Sequence, residues 1–426
     1  MIVYVGENGV GADYHVVPGE NLYTGAKPLR NEFGALNSLE EDMLNLASGI
    51  YAADLAIKRN DREQFIRTID FNVEVINIHA FERIKNKLKY ALHILSKDNW
   101  RVNFIQKKGN AVSNIAWGNS DGASVLFSGG LDSMCATAEF MRKKENIILV
   151  SHITRGNEEV DESQRNVHKL LEDYYKTNVR HIPVKVYGRK KGRYSFPDER
   201  EATQRTRSFL FLTLGALVAR RTGFHKVLFM AENGQFAIHL PLNHARVGPF
   251  STHTADPAFL KLVEEIFRLL LASSSFAIIN PFLYKTKAEI VSLLPASLKR
   301  RCTDSISCWM FSRKKKHCGE CIPCISRRIA LEFNGITPDT YATDLFSADI
   351  AGLSDGHTGK RNIIDYVEFV SKFRHVTTAQ INEISLEFPE LLNEAIHREQ
   401  ALDLYRRLAL QSFEVFSRYP QLMNIV

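Results

Sequence analysis

From Ala123 to residue 294 the chain alternates between short apolar runs and stretches with apolar residues at helical spacing. The strand-like runs are ASVLF at 123–127, NIILVSHI at 146–153, HIPVKVY at 181–187, KVLFMA at 226–231 and AIINPF at 277–282. Helical patterns fill the gaps over 131–144, 160–175, 202–221 and 257–271, and a last one covers 287–294. Strands with no polar alternation are buried on both faces, and each is followed by enough chain for a crossover helix. That combination predicts an α/β fold, a parallel sheet with helices on both faces.

The flanks read differently. Residues 1–118 carry helical spacing over 39–57 and 84–95 around an alternating run, FNVEVINI at 71–78, which predicts an N-terminal α+β domain. The polar, glycine-bearing stretch 107–122 marks the boundary. Residues 343–426 are expected to form a C-terminal helical region, with apolar spacing over 365–373 and 392–416. The central unit is therefore placed at 119–342.

The first strand of that unit runs into Ser128-Gly129-Gly130-Leu131-Asp132-Ser133 and then into a helix. A glycine loop between a parallel strand and a helix start sits where such sheets bind ligands. Glycines at 129 and 130 let backbone N–H groups approach phosphate oxygens, and the helix start favours an anion. Ser128 and Ser133 add hydroxyl donors. Asp132 is itself anionic, so its expected role is to hold Mg²⁺ against the phosphates. The P-loop lysine is absent. Arg207 and Lys287 each stand at a predicted helix start, where a cation is unfavourable unless an anion is near. They are candidate catalytic cations, though a solvated charge accounts for either. Glu232 and Asn233 follow a strand end and are candidate substrate contacts, as are His253 and Asp256.

Four of the six cysteines fall within CWMFSRKKKHCGECIPC, at Cys308, Cys318, Cys321 and Cys324. Two overlapping Cys-x-x-Cys spacings plus one more thiolate make the ligand set of structural zinc. An iron–sulfur cluster accepts the same four, and His317 and Cys302 compete with Cys308 for the fourth position. The N-terminus has no basic segment followed by an apolar core, so a reducing, cytoplasmic setting is expected.

SGGLDS resembles the pyrophosphatase loop of the N-type ATP pyrophosphatases, which have an adenine-nucleotide alpha-hydrolase-like (PP-loop) fold. Followed by this cysteine pattern, it resembles the 7-cyano-7-deazaguanine synthase family. Ser305, Ser307, Cys308, Cys318, Gly319, Cys321, Cys324 and Arg327 stand where that family's closing motif has them. Asn280-Pro281 and the segment 285–291 resemble its Pro then Lys-Ala-Glu-Ile stretch. Arg207 resembles its Arg-Asn helix start, with Ser208 in place of the Asn. Residues 248–257 depart from the family, which has Tyr-Pro-Asp-Cys in this region. The resemblance implies ATP, Mg²⁺ and Zn²⁺ as cofactors and 7-carboxy-7-deazaguanine or a related 7-deazapurine as substrate. It implies adenylation of the carboxylate with release of pyrophosphate, then amide and nitrile formation. The long flanks resemble the QatC-type component of bacterial antiphage defence systems and suggest a protein amine as acyl acceptor. A plain biosynthetic synthase and a catalytically inactive scaffold are the alternatives.

Composition sets outer limits. Hydrophobic residues make up 45% and charged residues 24%, which suits a soluble globular chain. The net charge of +7, from 55 basic and 48 acidic residues, suits anionic ligands without arguing for nucleic acid. No apolar stretch is long enough to span a bilayer. The sequence leaves the oligomeric state open.

Overall fold

The computed structural model describes residues 1–425 apart from 60–64, 113–117, 119, 154–157, 191–195, 198, 229–231 and 244–252. Parts of the predicted boundary segment, of the fourth central strand and of the divergent stretch 248–257 therefore lie outside the described residues.

Two parallel sheets dominate. The N-terminal one is built from β1 (Ile2–Val5), β2 (Tyr14–Val16), β4 (Thr68–Val75) and β5 (Asn99–Gln106), in the order β2-β1-β4-β5. The helices between them are α1 (Ala26–Phe33), α2 (Ser38–Ala56) and α3 (Ile78–Ser96). Every strand pair in this sheet is parallel, so the expectation of an α+β unit is corrected to α/β. The alternating run behind that expectation lies in β4, where Asp70 and Asn72 are only partly covered between the buried Ile69, Phe71 and Val73. Helix α2 starts where expected, at a capping box formed by Asn37 and Glu40.

The central sheet contains β6 (Ala123–Leu126), β7 (Ile147–Ile153), β8 (His181–Lys185), β10 (Lys226–Leu228) and β11 (Ala277–Ile279). Its order is β11-β10-β6-β7-β8, and it is parallel throughout, as predicted. Its helices are α4 (Leu131–Arg142), α5 (Glu158–Tyr175), α6 (Arg207–Thr222), α7 (Gly234–Ile238), α8 (Pro257–Leu270) and α9 (Lys287–Ser292). Helix α6 begins five residues later than its apolar spacing suggests. The backbone N–H and hydroxyl of Thr206 both bond the Asp54 carboxylate of α2, which fixes the chain just ahead of the first turn. A two-stranded antiparallel ribbon, β3 (Leu22–Tyr23) with β9 (Tyr187–Gly188), ties the two sheets together.

Two short helices, α10 (Ala296–Lys299) and α11 (Phe311–Lys314), lead to the longer α12 (Ile322–Phe333), and after it α13 (Thr358–Phe373) opens the C-terminal helices. These continue through α14 (Ile381–Glu387) and α15 (Arg398–Phe416).

The apolar core crosses the predicted boundary near 118. One continuous cluster runs from Val3 and Phe71 through Leu46 and Ile50 of α2 and Leu214 of α6 to Leu126 and Val150. A second cluster covers the opposite face of the central sheet, joining α4, α9 and α12. A third unites α13 and α15 with Ile325 of α12 and Ile238 of α7. No helix among the described residues is long and apolar enough to cross a membrane.

Candidate active site and metal centre

The chain leaves β6 for β7 on one side and later returns to β10 on the other. The loop after β6 therefore occupies the topological switch point, where a parallel sheet opens a crevice at its carboxyl edge. Gly129 has φ +76°, a left-handed conformation, and a Cβ there would lie 2.9 Å from Cγ of Gln164. Only glycine meets both demands. Gly130 is the N-cap of α4. Its N–H reaches Oγ of Ser128 at 3.3 Å, and its carbonyl accepts the Ser133 hydroxyl at 2.9 Å.

The loop is braced from two sides. Ser163 of α5 donates its hydroxyl to the Gly129 carbonyl at 3.2 Å. The N–H of Ile306 donates to that same carbonyl at 3.2 Å. Ile306 lies two residues before Cys308, so the cysteine segment backs the glycine loop directly.

Asp132, Lys287 and Asn233 are brought together. Lys287 Nζ lies 2.5 Å from Oδ1 of Asp132, and Asn233 donates its backbone N–H and Nδ2 to Oδ2 at 2.9 and 3.0 Å. All three residues are buried. In this arrangement both oxygens of Asp132 are engaged. Lys287 opens α9 because Thr286 and Glu289 form a capping box, and the Thr286 hydroxyl donates to Gln411 of α15 at 2.6 Å. The C-terminal helices thus hold the lysine in place.

Glu232 stands next in line. Burial and the Asp132 charge push its carboxyl up to about 8. Its backbone carbonyl accepts Nδ2 of Asn280 at 3.1 Å, which explains the Asn280-Pro281 match at the end of β11.

Arg207 sits elsewhere on the same edge. Its Nε reaches Nδ1 of His152, near the end of β7, at 3.3 Å. Burial and the Arg207 charge push that imidazole down to about 3, so His152 is neutral. Tyr51 of α2 meets the ring edge-on, with centroids 5.3 Å apart. Sequence reasoning missed His152 and Tyr51. A histidine near the carboxyl end of a core strand was the available signal for the first.

His253 and Asp256 are not joined to the loop by any described contact. Asp256 is the N-cap of α8, accepting from Ala258 and Phe259 at 2.9 and 3.0 Å. His253 is buried near Lys97, His239 and Arg205, and burial is the main reason its imidazole falls to about 3.

The four expected thiols converge. The sulfurs of Cys308, Cys318, Cys321 and Cys324 all lie within 4.8 Å of one another. Cys318 and Cys324 are 3.8 Å apart. Four sulfurs about 2.3 Å from one ion at tetrahedral angles would be about 3.8 Å apart. Amide N–H groups of Met310 and Cys318 point at the Cys308 sulfur, and those of Glu320 and Cys321 at the Cys318 sulfur, each at 3.3 Å. The three neighbouring thiols and the Glu320 amide hold the Cys318 thiol well below its usual range. The donor set fits zinc. The rivals fall away: Cys302 is packed in the apolar cluster beneath the sheet, and His317 accepts the Ser307 N–H at 3.3 Å. Arg327 is fully buried and knits this segment, donating to the Ser305 hydroxyl at 3.0 Å, the Cys302 carbonyl at 2.6 Å and the Asp339 carboxylate at 2.5 Å.

Residues 122–335, half of the 426-residue chain, match the model of the family described as queuosine biosynthesis protein QueC. The chain belongs to the QueC family. Members are ATP-using enzymes that act on 7-deazaguanine-type substrates. The match spans the glycine loop, Arg207, Lys287, all four clustered cysteines and Arg327, and it ends just past α12. No curated protein matches the chain.

Proposed function

We propose that this protein adenylates the carboxylate of 7-carboxy-7-deazaguanine and then forms a C–N bond, as a ligase that releases AMP and pyrophosphate. The observation that carries the reading is the buried Asp132–Lys287–Asn233 group beside a glycine loop at the switch point. A carboxylate oxygen of the substrate attacks the α-phosphorus of ATP, which enters as its magnesium complex. The bond from that phosphorus to the bridging oxygen breaks, and pyrophosphate leaves. The amides at the start of α4 and the Ser128 and Ser133 hydroxyls receive the departing charge. Lys287 and Arg207 are the side-chain cations, and Asp132 is assigned to positioning Lys287 rather than to binding magnesium.

An amine nitrogen then attacks the acyl carbon, AMP departs, and the amine loses a proton. Glu232, with its carboxyl raised to about 8, takes that proton in its ionised form. Glu232 and Asn233 are the proposed substrate contacts. His253 and Asp256, expected as contacts, are left out because Asp256 is engaged as a helix cap.

The acyl acceptor is proposed to be an amine of a partner protein, in antiphage defence of the QatC type. What supports this is the N-terminal sheet, which shares a core with the nucleotide sheet and brings Tyr51 to His152. Ammonia needs no such surface. The second reading is the plain synthase, which gives the amide and then, by a second adenylation at the amide oxygen and elimination of AMP, the nitrile. Pyrophosphate release from ATP is expected to require the carboxy-deazaguanine. Release that ignores this compound overturns the reading. Mass spectrometry separates the acceptors: free nitrile base supports the synthase, and a deazaguanine-sized mass shift on a co-purifying protein supports transfer.

A further inference from the structure

The N-terminal sheet has a switch point of its own. The chain leaves β1 for β2 on one side and returns to β4 on the other, so a crevice opens at the carboxyl ends of these strands. A cavity of about 150 Å³ lies there. Val5, Val17, Pro18 and Ile76 supply its apolar walls, and Asp42 and Glu74 supply its buried charges.

Neither buried carboxylate has a cationic partner among the described residues. Asp42 is only 3% exposed. Its Oδ2 accepts the N–H groups of Ile76 and Asn77 and Nδ2 of Asn77 at 2.8–2.9 Å. Among the described residues, its Oδ1 accepts nothing. Glu74 receives the Tyr4 hydroxyl at 2.8 Å, the Asn8 amide and side chain at 3.1 Å and the Glu7 amide at 3.1 Å. Burial opposes its ionisation, yet these donors hold its carboxyl below the ordinary range. Gly6, at φ +145°, leaves room for it, since a Cβ there would come within 2.4 Å of the Glu74 carboxyl carbon. The charges at the rim cancel in pairs: Lys107 with Glu7 at 3.0 Å, and Arg30 with Glu41 at 2.6 Å. Burial pushes the Asp42 carboxyl above its ordinary range, so its ionised form is disfavoured unless a cation stands beside it. A buried charge without a partner is costly, and a cation from outside relieves that cost.

The described residues of the crevice do not gather three side-chain metal ligands. Among the described residues, only the four cysteines place three or more ligand atoms within 4.8 Å of one another. An ammonium with a short apolar stem suits both the acids and the walls. A cavity of this size takes about six heavy atoms, the size of benzene.

We propose that this crevice is a second ligand site that takes an alkylammonium group, either a lysine side chain of a docking polypeptide or a free small amine of the same shape. The site is separate from the nucleotide loop. From Asp42 to Tyr51, which touches His152, α2 advances about 14 Å at about 1.5 Å per residue. An ammonium held here is therefore an anchor and not the acyl acceptor, and the inference stands whichever acceptor is used.

The test is titration of the full chain with n-butylammonium chloride, with n-butanol and potassium chloride as controls. Saturable binding of the amine alone is expected, weakened about tenfold or more by Asp42→Asn. Val17→Phe, which fills the cavity without touching a carboxylate, should abolish binding. Pyrophosphate release should stay at the wild-type level in Asp42→Asn. N-acetyl-lysine N-methylamide binding more tightly than butylammonium identifies a polypeptide as the source, and the reverse identifies a free amine. No saturation at tens of millimolar, equal binding of butanol, or binding that neither variant alters overturns the proposal. So does manganese or calcium bound at Asp42 and Glu74 in place of the amine.

Discussion

The two parallel sheets share a plan and differ in the sign of charge at the carboxyl edge. Each has a strand flanked on both sides by later ones, and each opens a crevice there. In the central sheet the crevice presents the amides of a glycine loop, with Lys287 close by. In the N-terminal sheet it presents Asp42 and Glu74. Architecture therefore fixes where a ligand goes, and the residues at the strand ends fix its charge.

The largest effect is expected from removing a single charge at the central edge. Lys287→Met leaves Asp132 buried with no cation and should cost about 3–5 kcal/mol in urea unfolding. Pyrophosphate release should fall below detection. Asp42→Asn at the other edge should leave release intact, and equal losses in the two variants would break the comparison. Metal removal comes next. Cys308→Ser should lose its zinc by elemental analysis and, through Ile306, weaken ATP binding; unchanged ATP affinity in the metal-free protein would refute that coupling. Gly129→Ala should follow, at about 1–2 kcal/mol for the left-handed backbone plus displacement of Gln164. ATP titration should show weaker binding while the zinc content stays normal.

The smallest effect is in pH. The Glu232 carboxyl rises from 4.5 to about 8 in the folded chain, so the native state holds the extra proton between those values. Its contribution to stability is complete below 4.5 and is lost as pH rises toward 8. His152 behaves oppositely. Its imidazole falls from 6.5 to about 3, so its contribution is complete above 6.5 and is lost as pH falls. Glu232→Gln should flatten the alkaline side of the stability profile, and His152→Gln the acid side. A profile unchanged by both would show that neither group is shifted.

The central site was legible because its residues are close in sequence and chemically unusual. Six consecutive loop residues and four clustered cysteines announce themselves, and the structure brings both sets together. Arg207 was found without its partner. His152 comes from strand β7 and Tyr51 from helix α2 of the N-terminal unit, so neither spacing nor composition could pair them with it. Asp132 and Lys287 were each singled out, but their ion pair was not foreseen, since 155 residues separate them. The N-terminal sheet was misread because β4 alternates like a half-exposed antiparallel strand, and because β1 and β2 are joined by too short a segment to read as a crossover.

The hydrogen bond from Ile306 to Gly129 has a further consequence. Ile306 stands two residues from Cys308, so whatever fixes the four thiolates also fixes the backbone that props the glycine loop. If a metal ion does this, the ATP affinity of metal-stripped protein should recover in step with the zinc it takes up.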